Sequence, residues 1–520
     1  MAVEQEITSD VSAVAEPEIE SDESPEQEPE KEPEENTEWE GEFGETGCPI
    51  WMDYYGNLGC GRKLHVAPDG VDEKLVCLMH SKDPNKQSGP LFDAFWMEFE
   101  RILGVAEENE AHFEGFVFPE FDFSGRTFQA ICLLSDATFT TDADFYEAIF
   151  EKNVDFSDAT FENNAEFGSA TFTQEAGFHN ATFGQEAHFG IATFMQDANF
   201  SHAIFTKDAD FSFATFTQAA HFVGTEFHGT ADCHCSRFLD RAEFLYTEFD
   251  PRIEGRPSAM FDGANFSKPS EIVFDDVDLS RALFSNCDVS QVWFTSSVQW
   301  GKRKGSRGLA VFDETIPLGQ EFAEGLQRDG QRDYCAYCAA EQIYHQLKKN
   351  YDSRLDYRTA NEFHFSEMEM TRLAGPTAGR LLWLRRWWYP RLSLVALYRY
   401  ASDYGNSYRK PLAWMLFFIL FAFPVLFPLR GVGLKRQGAT QAETYASKWN
   451  VQKSYGENLW AEVRLAGKGA ITSVDAATFQ KSAEYTPAYP WGRVLAIFET
   501  LLTSSLFALF LLAIRRQFRR

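Results

Sequence analysis

Residues 159–189 read ATFENNAEFGSATFTQEAGFHNATFGQEAHF, and this stretch decides the fold. Phenylalanine returns in steps that alternate six and five: Phe139, Phe145, Phe150, Phe156, Phe161, Phe167, Phe172, Phe178, Phe183, Phe189 and onward to Phe249. Only Cys233 breaks the series. The residue two places before each is almost always alanine, as at Ala143, Ala148, Ala159 and Ala165; the exceptions are Val154, Thr225, Ser236 and Thr247. A fixed period of this kind marks a repeat architecture.

The period selects the backbone. On an α-helix the small and aromatic positions scatter around the cylinder and form no stripe. In one long strand, an odd step turns every second Phe to the opposite face. Short strands joined by corners remain. In each, Ala at i−2 and Phe at i point the same way, and the spare residues turn the corner. The chain then coils, with Ala and Phe inside, and stacks coil on coil at about 4.8 Å.

These Ala-x-Phe-x-x units resemble the pentapeptide-repeat family. The resemblance implies an all-β, right-handed quadrilateral β-helix. The extra residue in alternate units makes each coil about 22 residues rather than the family's usual 20. Strict five-residue steps return at Phe274, Leu279, Phe284, Val289 and Phe294, and weaker units lead in at Phe118, Phe123, Phe128 and Leu134. An insert, Pro251 to Met260, interrupts the series. The predicted solenoid covers 118–295, about eight coils and about 40 Å.

Charge is unevenly spread around this core. The 520-residue chain carries a formal charge of −31. Residues 1–45 hold 18 acidic side chains against one lysine, and the last 147 residues hold 20 basic against seven acidic. The acidic Glu/Pro/Ser-rich segment 1–45 is expected to be disordered, because it offers too little apolar surface to offset the entropy of ordering. Nine scattered cysteines without a disulfide-like framework favour a reducing compartment. The acidic N-terminus has no signal-peptide pattern.

Residues 46–110 read as a small module. Cys48, Cys60, Cys77 and His80 are four soft ligands within 33 residues, and the x2 spacing of Cys77 and His80 lets both reach one tetrahedral ion. The expectation is one structural zinc, with unrelated buried thiols as the alternative. The segment also resembles the Cys-rich module ahead of some pentapeptide-repeat chains. Leu91 to Leu103 is an amphipathic helix suited to capping the first coil.

On the solenoid, the outward residue at i−1 falls into two classes. Steps of five mostly show Thr, as at Thr138, Thr160 and Thr171; steps of six show Asp144, Asp155, Glu166, His188, Asn199, Asp210, His221 and Glu243. Two Thr-rich and two acidic or His-bearing faces are expected. Such a rod could imitate DNA, as some soluble members of the resembled family do toward type II topoisomerases; a plain solvated surface explains the charge as well. The histidines are spread along the rod and read as solvated.

Residues 320–373 change period and read as two helices joined at 350–355. They resemble the LKKNY…EMEM hairpin of membrane-bound members of the family. Cys335 and Cys338 form CxxC inside this helical pattern and read as core thiols rather than a redox pair. Residues 380–400 interleave Trp383, Trp387, Trp388 and Tyr389 with Arg380, Arg385, Arg386 and Arg391, the composition of a segment lying in the membrane interface. Two transmembrane helices are predicted, at 411–430 and 494–514, joined by a 431–493 loop and followed by a basic 515–520 tail. Pro424 and Pro428 are expected to bend the end of the first. Basic clusters before the first span and after the second place both termini in the cytoplasm of a multi-pass inner-membrane protein. Glu499, inside the second span, either sits at the headgroups or pairs with the first span or a second subunit.

No catalytic constellation is present, which points away from an enzyme. The main expectation is a membrane-anchored scaffold. Its acidic β-helix meets a protein partner, the spans meet lipid, and a homo-oligomer can form through the transmembrane helices. The last helix looks like that of two-span potassium channels, so an atypical or degenerate channel regulated by the repeats is an alternative. The stretch before it, DAATFQKSAEYTPAYPWGR, lacks the glycine filter such channels need. Topoisomerase binding is the third option. Membrane tethering disfavours it, and nucleic acid is not expected as a partner.

Overall fold

The structure is a computed structural model. It describes residues 47–50, 59–68, 70–250, 255–303, 308–314, 336–374, 388–429, 433–437, 444–446, 454–478 and 484–518. The acidic segment 1–45 lies outside the described residues.

Short strands, mostly of two residues, stack into four parallel sheets that form the walls of a solenoid of about eight turns. The first wall runs from Glu110–His112 to Trp293–Phe294, the second from Val117–Phe118 to Glu248–Phe249. The third runs from Phe121–Asp122 to Ala282–Leu283, and the fourth from Thr127–Phe128 to Asn265–Phe266. Pairing holds the 22-residue register: Phe161 lies opposite Phe183, and Ala165 opposite Ala187. The first coil therefore begins at Glu110, upstream of the expected boundary at 118.

Repeat Phe and Ala side chains are buried along the whole axis. Like rings stack rung on rung: Phe161 on Phe183 at 4.8 Å and 1°, Phe178 on Phe200 at 4.9 Å and 1°. Within a coil, neighbouring rings meet edge to face, as Phe178 and Phe189 do at 5.4 Å and 85°. The exceptions at i−2 keep the interior satisfied. Thr225 and Thr247 donate their hydroxyls to the carbonyls of Phe200 and Phe222 at 2.8 and 2.7 Å, and Ser236 donates to Cys233 at 2.8 Å.

The two step lengths make two kinds of corner. Five-residue steps close a tight turn whose third residue has positive φ, as in Phe189 to Ala192, where Ala192 N donates to Phe189 O at 3.1 Å. Six-residue steps carry the extra residue around a wider corner stitched to the coil below; Thr173 Oγ1 donates to Phe150 O at 2.7 Å.

Both ends of the solenoid are covered, which protects strand edges from pairing with other chains. Helix α1 (Pro90–Ala106) buries Phe95 and Phe99 on the first coil, with Phe99 stacked on Phe113 at 4.5 Å. The buried Lys86 ammonium ties the module to this coil by donating to the carbonyls of Ser81 and Val117 at 2.8 and 2.6 Å. At the far end sit α2 (Ala336–Ser353) and α3 (Tyr357–Ala374). Asn350 Nδ2 donates to Val289 O and Val292 O, both at 2.8 Å, and Trp300 Nε1 donates to Tyr351 Oη at 3.0 Å. The expected hairpin is thus the second cap. Its loop is shorter than expected because α2 continues through Asn350 to Ser353; residues 320–335, including Cys335, lie outside the described residues.

The EMEM stretch faces two ways. Glu367 accepts from His345, Lys348 and His364 at 2.8, 2.9 and 3.1 Å, binding the two hairpin helices together. Glu369 accepts from Arg372 and Tyr404, both at 2.7 Å, and pairs with Arg399 at 3.1 Å. Arg399 lies on α4 (Leu394–Ser402), so Glu369 fastens the cap to the apolar segments that follow. Of the expected interfacial segment 380–400, residues 380–387 lie outside the described residues. On the remainder, Trp388, Leu394, Leu397 and Tyr400 are exposed.

Helix α5 covers Arg409–Leu426, with a π-turn at Phe418–Ala422 where Phe423 N reaches Phe418 O. Pro424 has no N–H to continue the ordinary ladder, and the wider turn lies just before it. The expected loop at 431–493 is corrected: it contains α6 (Tyr455–Ala477, 23 residues) and a three-stranded antiparallel sheet. Its Gly, Lys and Glu residues dilute the apolar pattern, and packing rather than periodicity fixes the helix. Helix α7 covers Pro490–Gln517, longer than the expected 494–514.

Candidate functional site

Cys48, Cys60, Cys77 and His80 come together. Cys48 and Cys60 lie on adjoining segments joined by an antiparallel bridge between Gly47 and Lys63, and Gly61 takes φ 57° beside Cys60. His80 closes a turn, with its N–H on Cys77 O at 3.1 Å. Cys60 Sγ lies 3.6 Å from Cys77 Sγ, and His80 Nδ1 lies 3.1 Å from Cys77 Sγ and 3.5 Å from Cys48 Sγ. All four candidate ligand atoms lie within 4.8 Å of one another. Zn–S bonds of about 2.3 Å and Zn–N bonds of about 2.0 Å in a tetrahedron give ligand separations of about 3.5–3.8 Å, close to the contacts of 3.1–3.6 Å seen here, so the cluster could hold such an ion.

The surroundings also fit. His80 Nε2 donates to Glu114 O at 3.0 Å, which leaves Nδ1 as the ligand atom. Cys77 N donates to Cys48 Sγ and Arg62 Nη1 to Cys60 Sγ, both at 3.3 Å, as suits thiolates. Hydrogen bonds from Cys48 and then Cys77 hold the Cys60 thiol far below its ordinary range. Cys48 and Cys77 are buried. A closed set of four protein ligands serves structure, since it leaves no open position for a substrate.

The solenoid walls carry the expected classes of outward residue. Thr160 and Thr182 pair on the second wall, and Asp210 and Asp232 on the third. Much of the acidity has a local structural role. Asp144, Asp155, Asp210 and Asp232 each accept the backbone N–H two residues on, at 2.7–2.9 Å. His221 meets Glu243, and His234 meets Asp262, both at 2.7 Å. Among the described residues, the solenoid histidines form no metal cluster.

One corner was missed at the level of sequence. Between the third and fourth walls, the positive-φ position is filled rung after rung by Glu147, Ser169, Ile191, Phe213 and Cys235. Ile191 holds φ 64° and Phe213 φ 57°, yet they are 62% and 53% exposed. The detectable signal was positional: Ile and Phe stand two places after a core Phe, where other rungs carry small or polar residues.

Helices α5 and α7 are long and apolar enough to cross a membrane. Much of their apolar surface is bare, including Phe421, Val425, Ile497, Leu501 and Leu512. Glu499 is buried, and within the chain its partner lies on α6 rather than on the first span. It accepts from Ser473 Oγ on α6, and Thr500 Oγ1 donates to Ala476 O at 3.1 Å on the same helix. A side chain in place of Gly469 would strike the Pro424 carbonyl, so α6 sits tightly against the first span as well.

Among comparisons with known proteins, the family model "Pentapeptide repeats (9 copies)" matches residues 123–171 and 156–204. No curated protein and no solved structure matches the chain. The matched residues are the coils whose Phe and Ala line the four-walled interior, and the solenoid of this chain is a pentapeptide-repeat β-helix.

Proposed function

We propose that this protein is a membrane-anchored scaffold whose solenoid docks a protein partner at the corner between the third and fourth walls. The supporting observation is the pair Ile191 and Phe213. A β-branched or bulky residue in the left-handed region costs about 1–2 kcal/mol, and side chains this exposed recover only part of it, as Phe213 does by meeting His234 edge to face at 5.5 Å. Contacts within the chain therefore offset the strain only in part, and a partner covering both side chains would offset the rest. The acidic third wall beside the corner, with Asp210 and Asp232, favours a partner with basic groups around an apolar centre. Two apolar helices with bare surfaces support anchoring. Arg516 Nη1 donates to Tyr404 O at 2.8 Å, joining the end of α7 to the turn before α5, which supports a hairpin with both ends on one side, taken as the cytoplasm of the inner membrane.

Photo-crosslinking in native membranes tests the docking. p-Benzoylphenylalanine replacing Phe213 should yield a discrete adduct that Ile191→Asn weakens; the same group replacing Thr160 should not. No adduct, or equal adducts at both positions, overturns the proposal.

The packing of α6 against both spans supports a second reading, a channel-like hairpin regulated by the repeats. Selective unitary currents from purified protein in planar bilayers would favour it over a scaffold.

A further inference from the structure

A cavity of about 1120 Å³ opens where the capped end of the solenoid meets the apolar helices. Its walls come from four places. The strand pair Gly301–Lys302 and Leu309–Ala310 closes the last coil, and α3 contributes its first turns. The turn at Gly405–Asn406 precedes α5, and Arg516 ends α7. The charge is unusual for a chain of formal charge −31: Lys302, Arg303, Arg358 and Arg516 line the cavity against only Asp356 and Glu362.

The cations are not neutralised equally. Arg303 is paired with Glu314. Arg516 uses Nη1 on the Tyr404 carbonyl. Lys302 and Arg358 are exposed and, among the described residues, bridge to no carboxylate. On the acidic side, Asp356 Oδ1 accepts from Thr359 N at 3.1 Å, as a cap of α3 does. The excess positive charge thus faces the open volume. Guanidinium groups bind phosphate oxygens through paired N–H donors, and a lysine adds a point charge. The volume is slightly above the range of about 300–1,000 Å³ usual for small-molecule sites, which leaves room for a headgroup or a polyphosphate with water.

The geometry points to a binding site for a phosphate-bearing anion at this junction. The same chemistry is offered by an anionic lipid headgroup, beside the ends of the spans, and by a soluble polyphosphate. An occupant would touch the solenoid cap and the ends of both apolar helices together. Binding would therefore favour one arrangement of repeat domain and anchor, as far as the affinity differs between arrangements. This site does not depend on docking at Ile191 and Phe213, and its failure would leave that proposal standing.

The test is thermal melting of the full chain in an uncharged detergent, titrated separately with phosphatidylglycerol, inorganic pyrophosphate and phosphatidylcholine, whose own choline balances its phosphate. A saturable rise in Tm is expected with at least one anion and not with phosphatidylcholine. Lys302→Glu with Arg358→Glu should weaken that response at least tenfold. Arg237→Glu, on the fourth wall, should leave it unchanged. A response to pyrophosphate alone assigns a soluble ligand, and one to phosphatidylglycerol alone assigns a lipid. If the double variant melts early without ligand, Arg358→Gln alone is used and should weaken the response several-fold. No rise with either anion, an equal rise with phosphatidylcholine, or a rise that survives the substitutions overturns the site.

Discussion

His80 Nε2 donates to the carbonyl oxygen of Glu114 at 3.0 Å, so one imidazole joins the cysteine cluster to the first coil. The candidate metal site and the N-terminal cap are therefore one unit. The full chain, rather than the module alone, is the right material for testing it, because α1 buries Phe95 and Phe99 against residues of that coil. Purified protein should carry about one zinc, and chelation should lower the first melting transition. Cys77→Ser should lose the metal. Metal analysis showing none, with the variant melting like wild type, would refute the site.

The interior should tolerate almost no change in volume. Phe178 stacks between Phe156 at 5.1 Å and Phe200 at 4.9 Å. Phe178→Ala should cost about 3–5 kcal/mol. Ala187→Leu should cost at least about 1–3 kcal/mol, since Ala187 pairs with Ala165 and Ala209 and has no space around it. Chemical denaturation of both variants measures these effects; wild-type behaviour of Ala187→Leu would contradict the inward placement of that position.

Relief of strain at the corner should stabilise the fold. Asn tolerates the left-handed region, and Asn180 already occupies it at φ 56°. Ile191→Asn should therefore raise stability by about 1 kcal/mol, read as a higher Tm. A lower Tm would mean that Ile191 makes a stabilising contact.

Asp313 gives a pH signature. Its carboxylate accepts from Phe284 N at 3.1 Å and from Ser285 Oγ at 2.5 Å, but burial pushes its pKa up to about 6 from 3.8. A raised carboxyl pKa means that the folded state holds the proton more tightly. This contribution is fully present below the unfolded value and is lost as pH rises through the folded one, amounting to about 3 kcal/mol across pH 4–6. Asp313→Asn should remove that slope. Tm measured from pH 4 to 7 for both proteins would show it; parallel profiles would refute the assignment.

Glu369 couples the cap to the apolar segments, so its loss should act on both. Glu369→Ala leaves Arg399 and Arg372 without their shared carboxylate and the Tyr404 hydroxyl without its acceptor, at a cost of about 3 kcal/mol. Limited proteolysis near residues 388–408 should accelerate. An unchanged cleavage rate would show that Glu369 is not the fastener.

The sequence by itself determined the solenoid, because an alternating five-and-six period of Phe with Ala two places earlier admits only short strands and corners. It also marked the four metal-ligand candidates, the capping helix and both apolar spans, since ligand type and long apolar runs are local properties. Tertiary structure decided the rest. Whether Cys48 and Cys60 could meet Cys77 and His80 depended on an antiparallel pairing with no periodic signature. The caps depend on which free carbonyls Asn350 and Lys86 can reach. Helix α6 was taken for loop because its stability comes from packing against α5 and α7 rather than from an apolar stripe. The Ser473 contact of Glu499 was illegible for the same reason, since it lies on a helix that only packing defines. The basic cavity joins residues from 302 to 517, a proximity that no local pattern records.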